Sequence, residues 1–170
     1  MSTKLRLHVL EKDDLEFIHQ LNNDPDIMSF WFEEPYRSMT SLQNDYDKNI
    51  DSDTARQFIL KKNDEKVGFV SLFGFEPVHQ KAEFGIMIEK KHQGNGYASK
   101  ATKLAMEYAF MKMNVRKLYL VVDETNEKAI YVYRKVGFAD EAVLKEEYFV
   151  NGSYHNVLLM SIFREDYWEL

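Results

Sequence analysis

Between an apolar run ending at Ile88 and an amphipathic stretch beginning at Tyr97 stand Gln93-Gly94-Asn95-Gly96-Tyr97-Ala98. A glycine pair at such a junction lets the backbone turn sharply and approach a ligand closely. The helix that follows offers its first amides to an anion, pyrophosphate above all. This one junction imposes a strand–loop–helix unit on the fold and makes the chain a candidate nucleotide or coenzyme binder.

The surrounding periodicity fills in the rest. Leu5, Leu7 and Val9 alternate as in a half-buried strand, and Asp13 or Asp14 is placed to cap a helix carrying Leu15, Ile18 and Leu21 on one face. The aromatic-dense segment 27–36 interrupts the pattern, and a second helix is predicted over 39–50. Residues 57–60 and 67–72 read as a hairpin around Asn63-Asp64-Glu65-Lys66, with another strand over 82–88. From Tyr97 to Met113, Ala98, Ala101, Leu104, Ala105, Tyr108 and Ala109 form one stripe, which specifies a helix. A buried strand over 117–122 follows, then a short helix over 126–135 closed by Gly137. Strands around 144–150 and 157–163 flank the turn signal Asn151-Gly152. The order predicts an α+β fold, a sheet with helices on its faces, in a single domain spanning 1–170.

At 170 residues the chain suits one domain. It has no cysteine, which excludes disulfides, thiolate metal sites and a cysteinyl-enzyme intermediate. The N-terminus lacks a signal h-region and no long apolar run follows, so a cytoplasmic location without membrane association is expected. The net charge of −6 disfavours nucleic acid, which needs clustered Lys and Arg. The five histidines are scattered, and no metal site is expected.

The glycine loop by itself fits several readings. A dinucleotide fingerprint would need a leading βαβ unit and an acid about 20 positions on, whereas this loop follows antiparallel-looking strands. A P-loop would close on Gly-Lys-Ser/Thr, which is absent. A plain strand-to-helix turn is the remaining alternative. The downstream segment Asn126-x-x-Ala129-x-x-x-Tyr133-x-x-x-Gly137-Phe138 separates them. Gln-x-x-Gly-x-Ala before a helix, followed by this second motif, resembles the Gcn5-related N-acetyltransferase (GNAT) family. That resemblance implies a GNAT-like mixed, mostly antiparallel sheet flanked by helices, with acetyl-CoA as co-substrate. It implies coenzyme contacts from Ile86, Met87 and Ile88, and from Gln93, Gly94, Asn95, Gly96, Tyr97, Ala98 and Ser99. Asn126, Lys128, Ala129, Tyr133 and Lys135 complete the implied set, with Tyr133 as general acid.

Chemistry agrees with those assignments. An uncharged amine attacks a thioester and a thiolate departs, so a proton donor beside the sulfur assists. A phenol with a pKa of about 10 stays protonated at neutral pH, and a thiol near 8.5 is a tolerable leaving group. Glu83, at the start of the strand leading to the loop, is a candidate base or water-relay residue; the alternative is an edge-strand carboxylate facing solvent. The segment Trp31-Phe32-Glu33-Glu34-Pro35-Tyr36 sets two carboxylates among three aromatics, which suits an alkyl polycation.

Within the superfamily the chain looks most like bacterial spermidine N-acetyltransferases, through Ile27-Met28-Ser29-Phe30-Trp31 and the segment just named, Ala82-Glu83-Phe84 and Phe149-x-Asn151-Gly152-x-Tyr154. That implies a spermidine or spermine acceptor and a ring-based homo-oligomer, a dodecamer. It implies acceptor contacts from Asn22, Met28, Glu33, Glu34 and Tyr36, from Asn49, Ile50, Asp51 and Ser52, and from Glu83, Phe84 and Gly85. Ser71, Gly74 and Ser41 stand where such proteins usually carry acids, and Asn49 where they carry histidine. Fewer carboxylates predict weaker polyamine binding, with Glu76, Asp51 and Asp53 as possible compensation. Two alternatives stay open: acetylation of a protein N-terminus, and a non-catalytic polyamine or acyl-CoA sensor.

Overall fold

The computed structural model describes residues 4–170. Seven strands form one sheet in the order β1-β2-β3-β4-β5-β7-β6. They are β1 (Leu5–Val9), β2 (Arg56–Lys62), β3 (Glu65–Glu76), β4 (Lys81–Ile88), β5 (Lys117–Asp123), β6 (Ala139–Val150) and β7 (Ser153–Phe163). Every pairing is antiparallel except β4 with β5. That exception arises because a helix, α4 (Tyr97–Met111), carries the chain from β4 back to the start of β5. The mixed, mostly antiparallel sheet that the family resemblance implied is the observed one.

Strand alternation sorts apolar side chains to two faces. Phe58, Leu60, Val70, Leu72, Ala82 and Phe84 face α4, whose Ala101, Ala105 and Ala109 are fully buried. These small residues let the helix lie close on the sheet. Ile59, Phe69 and Met87 point the other way and meet α1 (Leu15–Asn22), α2 (Pro25–Phe30) and α3 (Met39–Asn49) through Ile18, Leu21, Ile27, Met28 and Leu42. The remaining helices are α5 (Glu127–Lys135) and α6 (Arg164–Trp168).

Several elements differ in extent from the sequence reading. The aromatic-dense segment begins with α2, started by Pro25 at the first helical turn and by Asp24, whose carboxylate accepts from the amides of Asp26 and Ile27. Its shortness hides any helical period. Asp14 does precede α1, but its carboxylate turns back to the Glu11 amide at 3.0 Å and to Lys66 at 2.7 Å instead of capping. β6 starts at Ala139 rather than near 144, because its outer face is exposed and polar and gives no alternation. No helix among the described residues is long and apolar enough to cross a membrane.

Candidate active site

The parallel pairing of β4 and β5 lasts only from Lys81–Lys117 to Glu83–Tyr119. Beyond it β4 stays with β3 as far as Ile88–Gly68, and β5 stays with β7 as far as Asp123–Val157. The sheet therefore splays open immediately after Glu83. The Glu89 amide donates to the Val67 carbonyl at 2.9 Å, which fixes the hydrogen-bonding phase of the β3–β4 ladder. In that alternation Phe84, Ile86 and Ile88 turn their amides and carbonyls away from β3, toward the gap. Two of those carbonyls are occupied: the Trp31 indole donates to Ile86 at 3.0 Å and the Gln93 amide to Ile88 at 3.1 Å.

At the upper end of this edge lies the glycine loop. Gly94 (φ 80°) and Gly96 (φ 73°) both take left-handed backbone, and nothing lies within 4 Å of where a Cβ would stand on either. Gly96 is the N-terminal cap of α4 and supplies no side-chain cap, so the first amides of a fifteen-residue helix stay uncapped. Open space beside unpaired amides fits a coenzyme pyrophosphate, and the exposed edge of β4 fits an extended amide-bearing arm adding itself as a strand. Residues Gln93, Gly94, Gly96, Tyr97, Ala98 and Ser99 line the cleft. Asn95 instead folds back, its amide donating to the His92 carbonyl at 3.0 Å.

The far wall is α5. Asn126 caps it, its side-chain oxygen accepting from the Ala129 amide at 3.3 Å. Asn126, Lys128, Ala129 and Tyr133 line the cleft, whereas Lys135 lies over the Tyr131 ring on the outer surface. The Tyr133 ring meets Phe84 edge-on, with centroids 6.2 Å apart, and Phe138 at 5.9 Å. Burial among these rings pushes the phenol well above its ordinary value, so it stays a proton donor throughout the physiological range.

Glu83 occupies no edge. Its strand is central, paired to Phe73 on one side and Tyr119 on the other. Burial raises its carboxyl above the usual carboxylate range, with the Tyr119 hydroxyl as hydrogen-bond partner offsetting part of the rise. Alternation sets Glu83 and Gly85 on the α1–α3 face and Phe84, against which Tyr133 packs, on the other. Tyr133 and Glu83 thus stand on opposite faces of β4, and the splay is where the two sides meet.

The end of the cleft away from the glycine loop carries a mixture of anticipated and unanticipated residues. One cleft of about 1200 Å³ runs from the glycine loop to Glu33, Asn49 and Ser52, and includes Glu83, Phe84, Gly85, Ile86, Met87 and Ile88. Asn22, Glu34, Tyr36, Ile50 and Asp51 do not line it, and Met28 is a core residue only 1% exposed. Glu33 is exposed and makes no ion pair among the described residues, while nearby Asp26 is bound by Lys90 at 2.6 Å. Glu76 is paired with Lys81 at 3.2 Å and lies off the cleft. Sequence reasoning missed Tyr148 of β6, which stacks on Phe32 with centroids 4.4 Å apart and an interplanar angle of 10°. No local signal connects residues so distant. It also missed the placement of Trp31, whose ring lies directly over Gly85.

The family model for the acetyltransferase (GNAT) domain matches residues 4–139. The chain belongs to the GNAT family of acetyltransferases, whose co-substrate is acetyl-CoA. Over 163 residues it is 46% identical to the spermidine N(1)-acetyltransferase of Escherichia coli strain K12, covering 96% of this chain and 88% of that protein. The crystal structure of the Vibrio cholerae spermidine N-acetyltransferase in complex with CoA and spermine superposes with a TM-score of 0.95. It is 41% identical, covering 96% of this chain and 98% of that one. A dodecameric structure of the same Vibrio enzyme, in an intermediate state, superposes at 0.87 with 41% identity, covering 96% of this chain and 95% of that one.

Proposed function

We propose that this protein transfers the acetyl group of acetyl-CoA to a primary amine of a polyamine, spermidine or spermine, by direct transfer in a ternary complex. One observation carries the reading. A single continuous cleft joins the uncapped start of α4 to an anionic, aromatic-walled end at Glu33, and Glu83 and Tyr133 both line it between those ends. The relatives that act on spermidine support the choice of acceptor, as does the free carboxylate of Glu33 beside Trp31 and Phe32.

When bound, acetyl-CoA supplies an acetyl carbonyl activated as a thioester. The loop amides of Gly94 to Ser99 and the free edge of β4 hold and orient it. Glu83, kept basic for a carboxyl by its burial, takes the proton that the ammonium must lose before its nitrogen lone pair can attack, directly or through one water. As the new C–N bond forms and the C–S bond breaks, the Tyr133 hydroxyl gives its proton to the departing sulfur and recovers one from solvent. No acyl-enzyme is needed, because donor and acceptor occupy one cleft together. Homo-oligomerisation of the ring type accompanies this reading, supported by the Vibrio relative and by the exposed aromatic pair Phe149 and Tyr154 at the β6–β7 tip.

The test mixes the purified protein with acetyl-CoA and spermidine, spermine or an N-terminal peptide, and follows thiol release. Release with a polyamine and not with the peptide is expected. Release with the peptide alone would transfer the activity to protein N-termini, and absence of release with every polyamine would refute the proposal.

A further inference from the structure

Asn126 does not hold its own position. It sits at the end of a turn that leaves β5 at Asp123, and that turn is fastened from outside the cleft by β7. The Asp123 side chain is only 5% exposed, and both of its oxygens are engaged. Oδ1 accepts from the Thr125 amide at 2.9 Å and the Thr125 hydroxyl at 2.7 Å, closing the turn. Oδ2 lies 2.5 Å from Nδ1 of His155, and the other nitrogen of that ring lies 3.1 Å from the Ser153 hydroxyl. A second clamp runs parallel: the Glu124 amide donates to the Asn156 carbonyl at 3.1 Å, and the Asn156 side-chain amide donates to the Glu124 carboxylate at 3.1 Å. The backbone amide of Asn126 itself donates to the Asp123 carbonyl at 2.9 Å.

We propose that His155 and Asp123 are positioning residues for the coenzyme: a histidine–carboxylate clasp that fixes the turn presenting Asn126, and through it the start of α5. This rests on the reading of Asn126 as a coenzyme contact. His155 donates from Nδ1 to the Asp123 carboxylate, and the Ser153 hydroxyl beside Nε2 holds the ring from its other side, which fixes the ring plane. Asp123 in turn has no freedom to rotate, since turning either oxygen away would abandon a donor in a nearly dry site. Burial alone would raise the Asp123 carboxyl, but the hydrogen bonds from Thr125 and His155 outweigh it and hold the group below the usual range. None of Asp123, Ser153 and His155 lines the cleft, so the effect reaches the ligand only through Asn126. The spacing of the three in the chain carries no motif. β7 brings them together because Asp123 pairs with Val157, two residues from His155.

The experiment titrates coenzyme A into the full-length protein by calorimetry and measures initial rates against acetyl-CoA and against spermidine. His155→Ala is expected to weaken coenzyme binding and raise KM for acetyl-CoA by roughly tenfold, a change of about 1.4 kcal/mol. KM for spermidine should be unchanged. His155→Asn should restore most of the affinity, since its amide nitrogen stands close to where Nδ1 did and still donates to Asp123. A variant with a lower unfolding temperature but unaltered coenzyme affinity overturns the proposal, as does equal loss with His155→Asn and His155→Ala. Asn126→Ala separates the two levels of inference. If it weakens the coenzyme while His155→Ala does not, the clasp alone is wrong. If it binds coenzyme as tightly as the wild type, the role of Asn126 falls and the clasp falls with it.

Discussion

Gly85 is the position where the fit between the aromatic segment around Trp31 and the central strand can be tested by adding one carbon. A Cβ there would lie 2.6 Å from Cη2 of Trp31 and 3.0 Å from its Cζ2. Apolar carbons settle at about 3.5–4.0 Å, so in Gly85→Ala the indole must withdraw by about 1 Å. The strand beneath has little freedom to yield, being paired to β3 throughout this stretch. Withdrawal stretches the indole bond to the Ile86 carbonyl, now 3.0 Å, beyond hydrogen-bond reach. Overpacking costs about 1–3 kcal/mol and the lost hydrogen bond about 0.5–1.5 kcal/mol. Their sum is roughly 1.5–4.5 kcal/mol, and at ~2–4 °C per kcal/mol the unfolding midpoint should fall by roughly 3–18 °C. Urea unfolding gives the free energy, and tryptophan emission shows the displacement, because Trp168, the other tryptophan, is already exposed and contributes a constant background. Trp31→Leu removes the clashing ring atoms, so its own cost should shrink sharply in the Gly85→Ala background. Unchanged stability and emission in Gly85→Ala, or strict additivity in the double variant, would refute the packing argument.

Tyr133→Phe keeps the ring against Phe84 and Phe138 and removes only the hydroxyl. Turnover should fall by ~10²–10⁴-fold with coenzyme binding nearly intact by calorimetry, and wild-type turnover would remove Tyr133 from its role. Glu83 has a carboxyl pKa raised by burial, so in the window between its unfolded and folded pKa the folded state holds a proton that the unfolded chain has released. Its contribution to stability is complete below the unfolded pKa and is lost as pH rises through the raised one. Glu83→Gln should therefore be more stable than wild type at neutral pH, with the difference closing in acid, and should lose the acid limb of the kcat/KM profile; chemical denaturation and rates across pH check both. Asn126→Ala removes the cap of α5 and should cost about 1 kcal/mol in stability, read by urea unfolding. Glu33→Gln should raise the polyamine concentration required for half-maximal rate, and an unchanged requirement would make Glu33 structural.

The parts of this molecule legible in the sequence are those written in short-range periodicity. The stripe from Ala98 to Ala109 announced α4, and Gly94 and Gly96 announced a turn that only glycine makes easily. The apolar runs 57–60 and 67–72 announced a hairpin, and the order of elements announced a sheet with helices on its faces, which Phe58 and Val70 on one side and Ile59 and Phe69 on the other fill. What stayed hidden depends on register between distant segments. Glu83 reads equally well as an edge or a central residue until β5 is known to pair with β4. Trp31 over Gly85, Phe32 on Tyr148 and His155 on Asp123 are each separated by more than thirty residues, and no local preference encodes them. Asn22 and Tyr36 illustrate the opposite failure: they stand near lining residues in sequence, but the turns between direct them away from the cleft.

The splay itself follows from two competing partnerships. β4 needs β3 along its whole length and β5 needs β7 along its whole length, and the two pairs do not stay aligned beyond Glu83 and Tyr119. An open edge in the middle of a sheet is costly, because its amides and carbonyls go unpaired and invite other strands. Here the Trp31 indole and the Gln93 side chain take two of the carbonyls, one reaching in from the aromatic segment and the other from the glycine loop. The outward amides of Ile86 and Ile88 are left for a ligand with carbonyl groups to accept from them. A substitution that let β4 and β5 zip together would remove this cost and the cleft at once. The instability of the gap and its capacity to bind are one property.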